Sequence, residues 1–426
     1  MKIVKLLTYT QSAYKNWKKQ IDRVAIPSNA ISRTVLTILQ EVEKKGDAAV
    51  FHYTKKFDKI SLKETLLRTK PQTPSPTILN ALKRAKKNIE HFSHRGMPKT
   101  WQTTNAEGAK VGEIYHPLQR VGIYIPGGTA PLVSTSLMTI TLAAAAGCPE
   151  IVVATPPPVN SVLHFAIRFA GATEIHQIGG AQAIGALAFG TKKIKKVQKI
   201  FGPGNAFVNE AKRQVVGHVA IDQLPGPSEI MIIADESAHP EFIAADLLAQ
   251  AEHGADSSAI LLTPSIKIRD ATHQAIQRQL QTLSRKNILA QSLARCACLV
   301  QTRNLSEAME IANLYAPEHL SLQLKSPKTW ILHLKNAGAI FLGSYSPVVA
   351  GDFVAGPSHT LPTGGAGKSF SGLTIDQFFR RTSLIEYSKN SLEKIALTIE
   401  TLTQLEKLDA HQLSAQIRFR SPKSKR

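Results

Sequence analysis

From Arg120 to Asp222 the chain alternates short apolar runs with helical stretches, and a glycine or proline punctuates most changes of type. RVGIYIP (120–126), EIVVAT (150–155), TEIHQIG (173–179), KKVQKIF (195–201) and VAID (219–222) are of strand type. Residues 130–146, 161–172, 181–190 and 205–217 are of helix type. Strands that read as continuous apolar runs, each followed by a helix, predict a parallel doubly wound sheet with both faces covered. The pattern restarts at EIMIIAD (229–235). Strands are expected again at 259–264, 298–302, 319–324 and 337–343, with helices over 240–253, 268–283 and 305–314. Two successive α/β sets are expected, one inserted in the other. The first 120 residues are expected to be mostly helical, as in VLTILQEVEKKG (35–46), and so is the basic stretch from Asp376 onward.

The 426 residues allow two to four folding units. Hydrophobic residues are 43% and charged residues 19% of the chain, a globular balance. Three cysteines exclude a disulfide-stapled scaffold and leave no paired Cys-x-x-Cys motif for a cysteine-type zinc site. The longest apolar stretch, 137–154, is broken by threonines, a proline and Glu150, so no membrane span is expected. The opening MKIVKLLTYTQ is too short for a secretory h-region, which makes the cytoplasm the expected compartment. The net charge of +21 raises nucleic acid as a partner. The charge is scattered, however, and no zinc-finger spacing, RNA-binding aromatic signature or basic-region heptad accompanies it, which argues against that role.

Three glycine turns, IPGGTA, IGGAQA and FGPGNA, each join a strand to a helix at the carboxyl end of the first sheet. Backbone amides at such turns can approach an anion, and open α/β sheets bind ligands at that edge. None fits the G-x-G-x-x-G fingerprint, and tight turns need glycine in any case. In AQAEHG (249–254), Gln250 and His253 lie three apart on an expected helix, so both would project from one face. They suit a metal, and a histidine against a helix C-terminus suits the same pattern. In APEHL (316–320), Glu318 and His319 are neighbours at an element junction, a pairing fit for proton transfer. Adjacent side chains on an extended chain point opposite ways, so two separate transfers are as open as one shared proton. The Gly/Pro-rich segment 351–370 carries Asp352 and His359, and Glu406 and His411 fall on an expected terminal helix.

These stretches together resemble the histidinol dehydrogenase family. The likeness runs through GDAAVFHYTKKFD (46–58), RVGIYIPGG (120–128), IGGAQAIGALAFGT (178–191), GPGNAFVNEAKRQV (202–215), IDQLPGPSEI (221–230), DLLAQAEHG (246–254), YAPEHL (315–320), GDFVAGPSHTLPTGG (351–365) and FSGLTIDQFFRR (370–381). The resemblance implies two incomplete Rossmann-like domains, one inserted in the other. Residues 22–123 with 229–373 would form the first and 124–228 the cofactor-side second. Small helical segments would occupy 1–21 and 374–426, the latter swapped in a homodimer. It implies NAD- and zinc-dependent oxidation of L-histidinol to L-histidine through a bound histidinaldehyde, the last step of histidine biosynthesis. Carried over position by position, zinc falls to Gln250, His253, Asp352 and a partner's His411, and proton handling to Glu318 and His319. Substrate contacts fall on Ser228, Glu406 and His359 beside the metal ligands and His319, and NAD contacts on Tyr124, Gln182 and Asn205. The chain departs from the family pattern at APLVSTSLM (130–138), where Leu132 and Val133 replace an aromatic residue and proline and Thr135 interrupts paired serines. Its basic balance and the RFRSPKSKR tail (418–426) are further departures.

Overall fold

A computed structural model describes residues 4–8, 28–127 and 131–419. Its strands, in chain order, are β1 (Lys5–Thr8), β2 (Trp101–Thr104), β3 (Lys110–Pro117), β4 (Arg120–Tyr124), β5 (Glu150–Thr155), β6 (Glu174–Gln177), β7 (Lys199–Phe201), β8 (Ala220–Ile221), β9 (Glu229–Ala234), β10 (Ser258–Thr263), β11 (Ala297–Gln301), β12 (His319–Gln323), β13 (Ala339–Leu342) and β14 (Phe379–Glu386).

One compact unit comprises Met1–Gly96 and Leu118–Phe378. It holds two parallel sheets, a five-stranded one in the order β6-β5-β4-β7-β8 and a six-stranded one in the order β1-β11-β10-β9-β12-β13. In the first sheet the chain starts at β4, winds out through β5 and β6, then returns to β7. In the second it starts at β9, winds out through β10 and β11, then returns to β12. Each sheet therefore has a reversal of winding, between β4 and β7 and between β9 and β12, where ligand crevices form. β4, β9, β10 and β12 are buried at every position; β4, β9 and β10 accordingly read as largely apolar runs, whereas β12 (HLSLQ) alternates in sequence although both its faces are covered. In β9, Ile230 and Ile232 join the core on one face, and Met231 and Ile233 the core on the other. The helices Asn29–Lys45 and Asp47–Asp58 put Val35, Ile38, Leu39, Val42, Val50 and Tyr53 into the core of the five-stranded sheet, against the buried helix Gly180–Phe189.

The second unit comprises Met97–Pro117 and the residues from Phe379 onward. Here β3 pairs antiparallel with β2 and, over eight residues, with β14. The helices Lys389–Leu405 and Asp409–Gln416 follow. Ser388 and Ser391 close a capping box at the first helix start, and Ser391 is the one buried residue of that helix.

Several expectations differ from the structure. Within the segment expected to be helical at 1–21, Lys5–Thr8 forms a strand that pairs with β11, and residues 9–21 lie outside the described residues. Four residues are too few to show a period, and their pairing partner lies almost 300 positions on. The segment from 374 onward opens with a 3₁₀ turn and the eight-residue β14, because Thr382, Leu384 and Ile385 favour an extended chain that β3 is there to receive. The junction expected at 123/124 falls inside β4. The helices of 29–58, expected with 229–373, pack on the five-stranded sheet.

Candidate active site

The five-stranded sheet offers its carboxyl edge. Tyr124 ends β4, and its buried hydroxyl accepts the Gly180 N–H at 3.1 Å. Burial pushes that phenol up to about 12. Gln182 sits in the first turn of Gly180–Phe189, fully enclosed, with Oε1 unpaired. Asn205 caps Ala206–Gln214, its Oδ1 accepting the Phe207 and Val208 N–H groups at 3.1 Å each. All three expected cofactor residues line a single cavity of about 860 Å³ that also takes in Thr155, whose buried Oγ1 has no partner. A cavity of that size with unmet buried polar atoms suits a nucleotide. Gly128, in the first glycine turn, lies outside the described residues.

The turn before Asn205 is clamped. Gly202 has φ +106°, and a Cβ there would lie 2.2 Å from the Tyr124 carbonyl oxygen. Its N–H donates to Asp222 Oδ2 at 2.8 Å, and its carbonyl accepts from Lys212 Nζ at 2.8 Å. Lys212 Nζ also meets Asp222 Oδ1 at 2.5 Å, both side chains being essentially inaccessible.

The six-stranded sheet offers its other edge. Glu318 precedes β12, His319 begins it, and both are buried. One neighbour holds both. The Glu229 N–H donates to Glu318 Oε2 at 2.8 Å, and the Glu229 carbonyl accepts from His319 Nδ1 at 2.9 Å. The two side chains thus meet, Oε2 to Nδ1, at 3.6 Å. A carbonyl only accepts, so Nδ1 carries a proton in every state, and Nε2 is the ring's free position. His319 Nε2 lies 3.4 Å from Asp352 Oδ1 and makes no hydrogen bond. Burial pushes Glu318 up to about 7, against the pull of the His319 charge. For His319, burial acts downward, but the Glu318 and Asp352 carboxylates overcome it and push the ring up to about 9. Asp352, which burial would raise, is held below the ordinary carboxylate range by His319. Sequence reasoning missed Glu229, because a strand residue working through its backbone leaves no side-chain signature.

Asp352 lies on the short helix Val348–Phe353, which packs on Pro240–Ala251. His359 Nδ1 donates to the Asp352 carbonyl at 2.7 Å, and its Nε2 meets Thr135 Oγ1 at 3.1 Å. Thr135, a departure from the family pattern, thereby ties the helix Val133–Ala145 to the 352–359 segment. Gln250 is buried in the last turn of Pro240–Ala251 with Nε2 unpaired. His253 was expected on that helix, but the helix ends at Ala251. His253 sits in the turn that follows, its N–H donating to the Gln250 carbonyl at 3.3 Å. The residue is exposed. Burial lowers its pKa, and Asp352 opposes that.

Among the described residues no three His, Cys, Asp or Glu are placed to hold a metal ion. The expected set is a glutamine, one histidine and one carboxylate of a single chain. It is an N/O donor group of a kind zinc accepts, open until further ligands complete it. Ser228 is half-buried just before β9, with its carbonyl accepting the Ser258 N–H at 2.9 Å. Glu406 and His411 lie in the second unit, both exposed.

A chain of two parallel doubly wound sheets, one with a nucleotide-sized cleft and the other with a buried carboxylate–imidazole pair, has the build of an α/β enzyme. A model of the histidinol dehydrogenase family matches residues 21–419. Histidinol dehydrogenase of Heliobacterium mobile is 41% identical over 428 residues, covering 98% of this chain and all of that protein. A crystal structure of histidinol dehydrogenase from Elizabethkingia anophelis superposes with a TM-score of 0.92 at 36% identity, covering 98% of each chain. An acetylating aldehyde dehydrogenase from Geobacillus thermoglucosidasius shares the fold alone, with a TM-score of 0.50 at 15% identity over 88% of this chain and 94% of that one. The chain belongs to the histidinol dehydrogenase family. Among the described residues no helix is long and apolar enough to cross a membrane.

Proposed function

We propose that this chain oxidises L-histidinol to L-histidine with zinc and two NAD, through a bound histidinaldehyde, in the cytoplasm as the last step of histidine biosynthesis. The supporting observation is the buried Glu318–His319 pair, fixed on one backbone residue and facing Asp352. Alcohol and NAD give aldehyde, NADH and a proton; aldehyde, water and a second NAD give carboxylate, NADH and two protons. His319 in its neutral form accepts the alcohol proton at Nε2, because Nδ1 is committed to the Glu229 carbonyl; with the ring held up to about 9, the share of that form grows as pH rises toward 9. Glu318, at about 7, is balanced between its two forms near neutrality and takes the proton of the water that hydrates the aldehyde. His319 serves again in the second oxidation. Zinc, when bound by Gln250, His253, Asp352 and His411 of the partner subunit, supplies a template for the substrate's nitrogens. NAD, held against Tyr124, Gln182 and Asn205, supplies the hydride acceptor. Ser228 and Glu406 of the partner subunit contact the substrate. His359 uses both ring nitrogens within the chain and so acts by holding the Asp352 segment.

A homodimer fits the second unit's own surface. Leu397, Leu405 and Ile385 are exposed at 73%, 75% and 71%, a large apolar area for one small unit to leave in water. The test is NADH formed per histidinol consumed, with and without a chelator. Two NADH per histidinol, lost on chelation, is expected. A ratio of one, or turnover indifferent to the chelator, overturns the reading.

A further inference from the structure

The cleft on the five-stranded sheet contains one charged residue that no part of the chemistry above uses. Asp58 lines the cavity, its Oδ2 is buried, and that oxygen has no hydrogen-bond partner. It is also the last residue of the helix Asp47–Asp58, where the negative end of the helix dipole disfavours a carboxylate. Burial raises its pKa with no cation opposing. The neighbouring Lys59 is turned away, its Nζ donating to the Lys56 carbonyl at 2.8 Å. No described residue lining the cavity is a lysine or arginine. An acid at a helix C-terminus, half out of water and without a partner, is poorly placed for stability. Such local cost marks a group kept for a ligand.

The cavity also says which part of a ligand it receives. Among the described residues its walls come from the two helices of 29–58, from the ends of β4 and β5 and from the starts of Gly180–Phe189 and Ala206–Gln214, with none from the Glu318–His319 site. The half of a dinucleotide remote from the reacting ring therefore belongs here. Phe57 and Phe207, 49% and 41% exposed, and the Pro156–Pro158 run give apolar walls for a purine. The unpaired Oε1 of Gln182 and Oγ1 of Thr155 give further polar contacts.

We propose that Asp58 recognises the adenosine ribose of the dinucleotide, accepting hydrogen bonds from its 2′- and 3′-hydroxyls and excluding a 2′-phosphate. A carboxylate can take two hydroxyl donors at once, and it repels a phosphate where no cation stands by. This rests on the NAD reading above, and the test separates the two. Full-length protein and its Asp58→Asn and Asp58→Ser variants are titrated calorimetrically with NAD, NADP, AMP and 2′-deoxy-AMP. The parent should prefer NAD to NADP and AMP to 2′-deoxy-AMP. Each variant should bind NAD and AMP roughly tenfold or more weakly, as loss of hydrogen bonds to a charged group predicts. Each should also narrow the NAD-to-NADP gap and no longer tell AMP from its 2′-deoxy form. Melting temperatures should stay level or rise, since an unfavourable charge at the helix end is removed. Variants that keep the parent's preference for NAD over NADP and for AMP over 2′-deoxy-AMP overturn the role of Asp58 and leave the cofactor reading intact. A parent that binds neither NAD nor AMP overturns both.

Discussion

Replacing Lys212 by methionine should loosen the turn that carries Asn205. Lys212 is the cation in hydrogen-bond contact with Asp222, with Lys199 acting on it from farther off, and the pair grips Gly202 from both sides, by its N–H and its carbonyl. Breaking a buried ion pair by removing one partner costs about 3–5 kcal/mol. Asp222 would keep two backbone donors, Gly202 N–H at 2.8 Å and Gln223 N–H at 2.6 Å, so the low end, about 3 kcal/mol, applies. At about 1.4 kcal/mol per decade, that is roughly a hundredfold increase in local opening. Hydrogen exchange followed on peptides spanning Lys199–Ala206 reads this directly, because the Gly202 amide is itself one of the clamp's donors. NAD affinity should fall in parallel, through Asn205. Adding Asp222→Asn to Lys212→Met should recover part of the protection, since the stranded buried charge is then gone. Unchanged exchange at Gly202 in Lys212→Met would refute the clamp. A double variant worse by the full sum of the singles would show that the two side chains do not act as a pair.

Other consequences are as specific. Hydrogen bonds from the buried Arg120 hold Glu174 down at about 2, at 2.8 Å from each of two guanidinium nitrogens. That stabilisation is complete above the ordinary carboxylate pKa of about 4.3 and is lost as pH falls from there through about 2. Glu174→Gln should therefore cost about 1–2 kcal/mol at pH 7, discounted because the side chain is 32% exposed, and little at pH 2; urea unfolding at both pH values checks it. Thr135→Val leaves His359 Nε2 without its partner. A roughly tenfold fall in kcat with NAD affinity unchanged is expected, and an unaltered kcat would detach Thr135 from the site. Leu397→Asp with Leu405→Asp should give a monomer by light scattering and no turnover; a dimer with full activity would place the subunit contact elsewhere.

What the sequence revealed depends on how each element is buried. β4, β5, β9 and β10 were legible because burial on both faces leaves only apolar choices. The helix Leu305–Tyr315 was legible as a helical stretch over 305–314, and Asn304 caps it, its side chain accepting the Glu307 N–H at 2.9 Å. The helix Lys286–Cys296 did not, since Arg285 precedes it with no capping side chain. β2, β3 and β14 escaped because they lie in a charged, largely exposed sheet without alternation. In the site, Gln250, His253, Glu318, His319 and Asp352 were visible as reactive side chains. What orients them was not: Glu229 acts through its peptide groups, and Thr135 was notable only as a departure from pattern. The adjacency of Glu318 and His319 left their relation open until Glu229 was seen to bind both.

In the proposed function the ligand residues lie at the carboxyl edge of the five-stranded sheet but at the amino edge of the six-stranded one, and electrostatics supplies a reason for the difference. Helices that follow parallel strands begin at the carboxyl edge and end at the amino edge. At the first sheet the cavity meets the N-termini of Gly180–Phe189 and Ala206–Gln214, whose positive dipole ends favour an anion such as a dinucleotide's phosphates. At the second, Glu318 and His319 stand at the start of β12, and Gln250 at the C-terminal end of Pro240–Ala251. There the negative dipole end and exposed carbonyls favour a cation, whether a metal ion or a protonated amine. A reaction that joins a phosphate-bearing cofactor to a cationic, metal-held substrate needs one edge of each kind. The Thr135–His359 contact at 3.1 Å and the Gly226–Thr363 hydrogen bond belong to the connections that hold the two edges to one another. Shifting the chemistry of the second sheet to its carboxyl edge would place the cation against helix N-termini, where the same dipoles would oppose it.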